Sequence, residues 1–94
     1  MKNNYSTTNN LKKIRERRGY TLKQLAEITG LTIHEIHFLE NDRLDMRKSK
    51  FDTVIKLCDS LRITPYEIFV DKEYAKTLLT ITKRYYGKKY IAKQ

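Results

Sequence analysis

Ninety-four residues, 39% of them hydrophobic and 33% charged, make one small domain with a single modest core. No apolar run approaches ~20 residues, so nothing spans a bilayer, and MKNNYSTTNN has no apolar stretch behind its lysine to serve as a signal peptide. The single cysteine, Cys58, excludes an internal disulfide; together these absences lead us to expect a cytoplasmic protein. The net charge of +9, with a sequence pI near 9.7, favours a polyanionic partner, either nucleic acid or an anionic membrane surface. It is unevenly spread, since residues 71–94 hold 7 Lys and Arg against 2 Asp and Glu. Solubility charge on solvated faces is the plainer explanation of the same numbers.

Residues 1–8 are polar and without periodicity, and a disordered arm is expected there. Asn9 or Asn10 can cap a first helix running to about Arg18, with Leu11 and Ile14 inward, Lys12, Lys13, Arg17 and Arg18 outward, and Gly19 as its stop. Thr21 caps a second helix over about 22–29, whose apolar face is Leu22, Leu25, Ala26 and Ile28. Gly30 can take the left-handed conformation that ends a helix, and Thr32 can accept from the first free amides of the next. That third helix covers about 33–41, with Ile33, Ile36, Phe38 and Leu39 as its apolar set. Two helices joined this tightly must cross steeply, with the small Ala26 at the close approach, which is the geometry of a helix-turn-helix.

Asn41 to Lys48 reads as a polar loop. Ser49 is the expected cap of a fourth helix with Phe51, Val54, Ile55, Leu57, Cys58 and Leu61 inward. Cys58, on that apolar face, acts as a small hydrophobe. Thr64-Pro65 places a cap before a proline at the first helical position and opens a short fifth helix to about Val70, with Ile63, Ile68 and Phe69 closing the core. In the tail, Tyr74, Leu78, Ile81 and Tyr85 follow helical spacing, and Gly87 after Lys83-Arg84 suits a helix stop. The run TLLTITKRYY has the composition of a strand, and YYGKKYI that of a hairpin turn. The periodicity predicts a sixth helix over about 72–86. There is no internal repeat and no low-complexity segment.

The stretch LKQLAEITGLTIHEIHFLEN, with Ala26, Gly30 four residues on, and Ile36 and Leu39 facing inward, resembles the Cro and phage-repressor (XRE-like) family of helix-turn-helix domains. LKKIRERRGYT resembles that family's first helix and FDTVIKLCDSLRITPYEIF its last two, so the likeness covers about 60 of the 94 residues. It implies an all-α, lambda-repressor-like domain of five helices over residues 9–70, with residues 71–94 as a basic C-terminal extension. It further implies a regulator of transcription that binds double-stranded DNA, as a homodimer on a two-fold operator with half-site centres about 10 bp apart.

In this architecture the second helix of the motif enters the major groove and its outward, N-terminal residues meet base edges. With Ile36 and Leu39 inward, those residues are Thr32, Ile33, His34 and His37, flanked by Glu35 and Phe38. Either imidazole can donate to guanine N7 or O6 or to a phosphate, and Thr32 or Ile33 can pack a thymine methyl. The chain departs from the family at Leu22 and Ile33, where glutamines commonly cooperate to read adenine, so base recognition here falls to the histidines or to thymine contact. Phosphate anchoring is expected from Thr21, Lys23, Asn41, Arg43, Lys48 and Lys50, each of which also has plain solvation as an explanation. By resemblance, Arg15 and Glu40 form a bidentate ion pair that pins the first helix to the third.

An i, i+3 pair such as His34 and His37 supplies two metal ligands, but no cysteine or third histidine joins them, and no metal or cofactor is expected. With Cys58 on a buried face, no glycine-rich phosphate loop and no converging acid pair, no enzymatic activity is expected either. The tail supports a dimerisation helix through Leu78, Ile81 and Tyr85, a basic arm along DNA using Lys83, Arg84, Lys88 and Lys89, or a helix that completes the chain's own core. A protein-interaction module, antitoxin-like or anti-repressor-like, is the alternative function on the same fold, with a protein partner in place of DNA. No membrane partner is expected.

Overall fold

A computed structural model describes residues 8–86, which form six α-helices: α1 (Leu11–Arg17), α2 (Leu22–Thr29), α3 (Ile33–Glu40), α4 (Phe51–Leu61), α5 (Pro65–Ile68) and α6 (Lys72–Tyr86). A single 3-10 turn, Met46–Lys48, lies between α3 and α4. The fold is all-α, as the periodicities predict, and α6 takes the helical alternative over 72–86. The hairpin reading of YYGKKYI falls largely outside the described residues, as does the expected arm of residues 1–8 apart from Thr8, whose N and Oγ1 both bond to the Asp42 carboxylate.

The helices begin and end where side chains meet their unpaired backbone groups. Thr21 and Thr32 each head a capping box: Thr21 accepts from Gln24 N while Gln24 Oε1 accepts from Thr21 N, and Thr32 does the same with Glu35. Between the two boxes Gly30, at φ +81°, ends α2 and donates from its amide to Ala26 O. The cap position of α1 is Asn10, which makes no side-chain cap bond; Asn9, one residue earlier, supplies the acceptor, its Oδ1 accepting from Leu11 N at 3.0 Å. Its Nδ2 donates to Leu39 O at 3.0 Å, so one buried amide ties the start of α1 to the end of α3.

Two expected caps differ. Ser49 follows the 3-10 turn instead of heading α4, whose cap position is Lys50 with no side-chain bond; the turn itself is capped by Asp45, which accepts from Arg47 N. Thr64 precedes Pro65 as expected, but its side chain makes no capping bond. Proline at the first helical position costs nothing there, because the N–H it lacks has no partner within the helix.

The core gathers Leu11 and Ile14 from α1, Leu25 and Ala26 from α2, Ile36 and Leu39 from α3, and Val54, Ile55, Leu57, Cys58 and Leu61 from α4. Met46, Ile63, Ile68 and Phe69 close it, with Ala75 and Leu78 from α6. The second helix packs on both α3 and α4, and the first packs on α3, so α3 is braced from two sides. Opposite, α5 lies on α4 and α6. Asn10 N donates to Ile68 O and Val70 N to Thr8 O, stitching the start of the chain to the α5–α6 junction.

Three apolar expectations are corrected. Ile28 is 50% exposed, because Leu25, Ala26 and Thr29 form the buried stripe of α2. Phe51 is half-buried at the rim of the core. In α6 the inward stripe is Ala75, Leu78 and Thr82, flanked by the half-buried Tyr74 and Leu79, while Ile81 faces out. Leu78, expected to meet a second copy, is therefore part of the chain's own core. The side chain of Tyr85 lies outside the described residues.

Candidate nucleic-acid interface

What fixes α3 against the rest of the chain is a buried ion pair. The Arg15 guanidinium donates from Nε and Nη2 to the two carboxylate oxygens of Glu40, the latter at 3.2 Å. Arg15 Nη1 donates to Tyr20 O at 2.7 Å, so the same side chain also holds the α1–α2 connection. The side chains are 10% and 2% exposed. With Ile36 and Leu39 at 0% and 2% exposure on the same face, α3 is anchored by these two hydrophobic side chains, by this clasp and by the Asn9 bond to Leu39 O at its C-terminal end.

The opposite face is open. Thr32, Ile33, His34, Glu35 and His37 are all exposed, Ile33 by 43%. Thr32 Oγ1 accepts from Glu35 N and lies 3.2 Å from Glu35 Oε1, so its hydroxyl is committed to the cap and its methyl is the group left for a thymine. Leu22, across the turn, is half-buried against the core.

The two imidazoles share a neighbour. His34 meets the Phe38 ring edge-on, with centroids 6.4 Å apart and planes at 76°. His37 meets it at 6.3 Å and 47°. The Arg43 guanidinium sits over the same ring, 5.9 Å from its centroid. Phe38 O also accepts from Arg43 N at 2.8 Å and Leu44 N at 3.2 Å, which folds the chain after α3 back onto the end of the helix.

Asn41 is turned inward on its own helix. Its Nδ2 donates to His37 O at 2.8 Å and stands 3.4 Å from His37 Nδ1. A carbonyl only accepts, so the amide nitrogen must be on that side. With Nδ1 facing that donor, a neutral His37 ring carries its proton on Nε2, as a donor suited to guanine N7 or O6 or to a phosphate oxygen.

Of the other residues expected at phosphates, Lys23, Arg43, Lys48 and Lys50 are exposed, and Thr21 is exposed with its hydroxyl accepting from Gln24 N in its capping box. Arg47 is held by Asp45 through Nε and Nη2, at 3.1 and 2.8 Å. Those bonds keep the Asp45 carboxyl below the usual carboxylate range. Tyr74 Oη, on α6, donates to Arg47 O at 2.9 Å. Burial, and then the charge of Asp45, raise that phenol above the ordinary tyrosine value.

Phe38 as a shared support, Asn41 as a partner of His37 and Arg18 as a donor to Leu61 O were not visible in the sequence. The signal for the first was present: Phe38 lies one residue after His37 and four after His34, within reach on a helix surface. Among the described residues, no three His, Cys, Asp or Glu side chains stand together as a metal site, and no helix is long and apolar enough to cross a membrane.

No curated protein and no solved structure matches the chain. A family model described as a helix-turn-helix domain matches residues 8–73, from the segment ahead of α1 through the start of α6. With that match spanning more than half of the chain, and α2, Gly30 and α3 forming the capped turn, the chain belongs to the helix-turn-helix domain family.

Proposed function

We propose that the chain is a sequence-specific double-stranded DNA-binding regulator of transcription, of the Cro and phage-repressor (XRE-like) type. The carrying observation is α3: braced by Ile36, Leu39 and the Arg15–Glu40 clasp, it turns Thr32, Ile33, His34 and His37 to the open side. A helix so held is a rigid probe of the width a major groove admits. His37 donates through Nε2 to a base acceptor, His34 supplies a second donor, and Ile33 with the Thr32 methyl meets apolar thymine. Lys23, Arg43, Lys48 and Lys50 supply phosphate contacts that set register and give affinity without sequence preference. Residues 9–70 constitute the binding domain. The exposed Ile81 and the charges Lys83 and Arg84 support a reading in which α6 meets a second copy or the DNA backbone.

Selection of bound sites from random duplex, followed by a salt titration on the selected and a scrambled site, tests this reading. Affinity for both duplexes falls steeply with salt, and the selected site stays preferred. His37→Ala and His34→Ala each reduce that preference by about 1–3 kcal/mol. Absence of any preferred site, or of a salt slope, refutes the proposal and turns attention to a protein partner.

A further inference from the structure

We propose that Phe38 is the positioning residue of the reading surface, holding His34, His37 and Arg43 in one fixed arrangement; this rests on the DNA-binding reading above. Three groups of different origin converge on the ring: an imidazole from one turn earlier on α3, the imidazole next to it in sequence, and a guanidinium from the loop that follows. Phe38 offers no hydrogen bond of its own to a base edge, and it is only half-buried, between the exposed histidines and the core face of Ile36 and Leu39. Exposed imidazoles and guanidinium groups otherwise rotate through several rotamers, and each must be frozen when a base or phosphate is bound. A ring that contacts all three removes part of that ordering cost beforehand. The backbone reinforces the arrangement, since Arg43 N and Leu44 N both donate to Phe38 O and so keep the guanidinium within reach of the ring. Sequence preference and phosphate affinity are then coupled through a residue that touches neither directly.

The test compares wild type, Phe38→Leu and Phe38→Tyr, each checked for thermal stability, on the selected and the scrambled duplex. Loss of the ring in Phe38→Leu is expected to reduce the preference for the selected site by about tenfold, with a smaller change on the scrambled duplex. Phe38→Tyr keeps the ring and is expected to retain the preference. An unchanged preference in folded Phe38→Leu overturns the proposal, as does an equal loss on both duplexes, which would mark a merely structural role. Should Phe38→Leu fail to fold, the imidazole ring-proton resonances of the free wild-type protein decide: displacement by the Phe38 ring current supports the arrangement, and solvent-like positions for both histidines overturn it. Wild type that prefers no duplex refutes the DNA-binding function instead, and those resonances still report on the ring contacts separately.

Discussion

Replacing Glu40 with alanine isolates the buried ion pair between α1 and α3. The Arg15 guanidinium uses three nitrogens, two on Glu40 and one on Tyr20 O, and its side chain is 10% exposed. Glu40→Ala leaves the Tyr20 bond but removes the carboxylate paired with the guanidinium, in surroundings nearly closed to water. An exposed pair would contribute about 0–1 kcal/mol. Breaking a buried one by removing a single partner costs about 3–5 kcal/mol, mostly from the charge left behind. For a domain of this size about 1 kcal/mol moves Tm by roughly 4–8 °C, so a fall of at least about 12 °C is expected in a thermal melt followed by helical circular dichroism. The double variant Arg15→Met, Glu40→Leu replaces the pair with apolar groups of similar volume and is expected to regain wild-type stability or exceed it. A Glu40→Ala shift below about 4 °C, or a double variant less stable than the single, would refute the reasoning: the clasp would be solvated and α3 held by its other contacts.

The cap of the same helix is separable from that clasp. Thr32→Ala removes the hydroxyl that accepts from Glu35 N and is expected to cost about 1 kcal/mol in a urea titration, with the slope unchanged. Tyr74→Phe deletes the bond to Arg47 O and is expected to cost about 0.5–1.5 kcal/mol at neutral pH. Because the folded chain raises the Tyr74 phenol, mainly by burial, it favours the neutral form. That contribution is present below about pH 10 and is lost as pH climbs past the ordinary tyrosine value toward the higher folded one. Wild type should therefore lose stability more steeply than Tyr74→Phe above about pH 10, and equal slopes would refute the assignment.

Much of the frame is legible in the chain because its punctuation is local. Thr21, Gly30 and Thr32 act within four residues of themselves, so their roles follow from residue type and spacing. The tail is less legible for a physical reason: at 3.6 residues per turn, the stripes Tyr74, Leu78, Ile81 and Ala75, Leu78, Thr82 differ by a partial rotation of the helix, and tertiary packing, with α5 above all, selects the second. Ile28 fell out of the core for the same reason, Thr29 lying closer to the buried side. Ser49 lost its expected place because a 3-10 turn, invisible to periodicity, took up Met46 and moved the start of α4 past it. Side-chain alliances such as Asn41 with His37, or Arg43 over Phe38, depend on how the loop after α3 folds back, which no short-range pattern encodes.

The threonines of α6 carry a consequence for how the molecule comes apart. Thr77, Thr80 and Thr82 each donate a hydroxyl to the carbonyl four residues earlier, at 3.1, 3.1 and 2.8 Å. Such back-bonds, together with β-branching at Thr77, Thr80, Ile81 and Thr82, weaken a helix's intrinsic preference, so this segment owes its shape to what it leans on. Amide exchange should accordingly run fastest toward the far end of α6 and slowest in α4, and limited proteolysis should nick the chain there while the remaining helices stay intact.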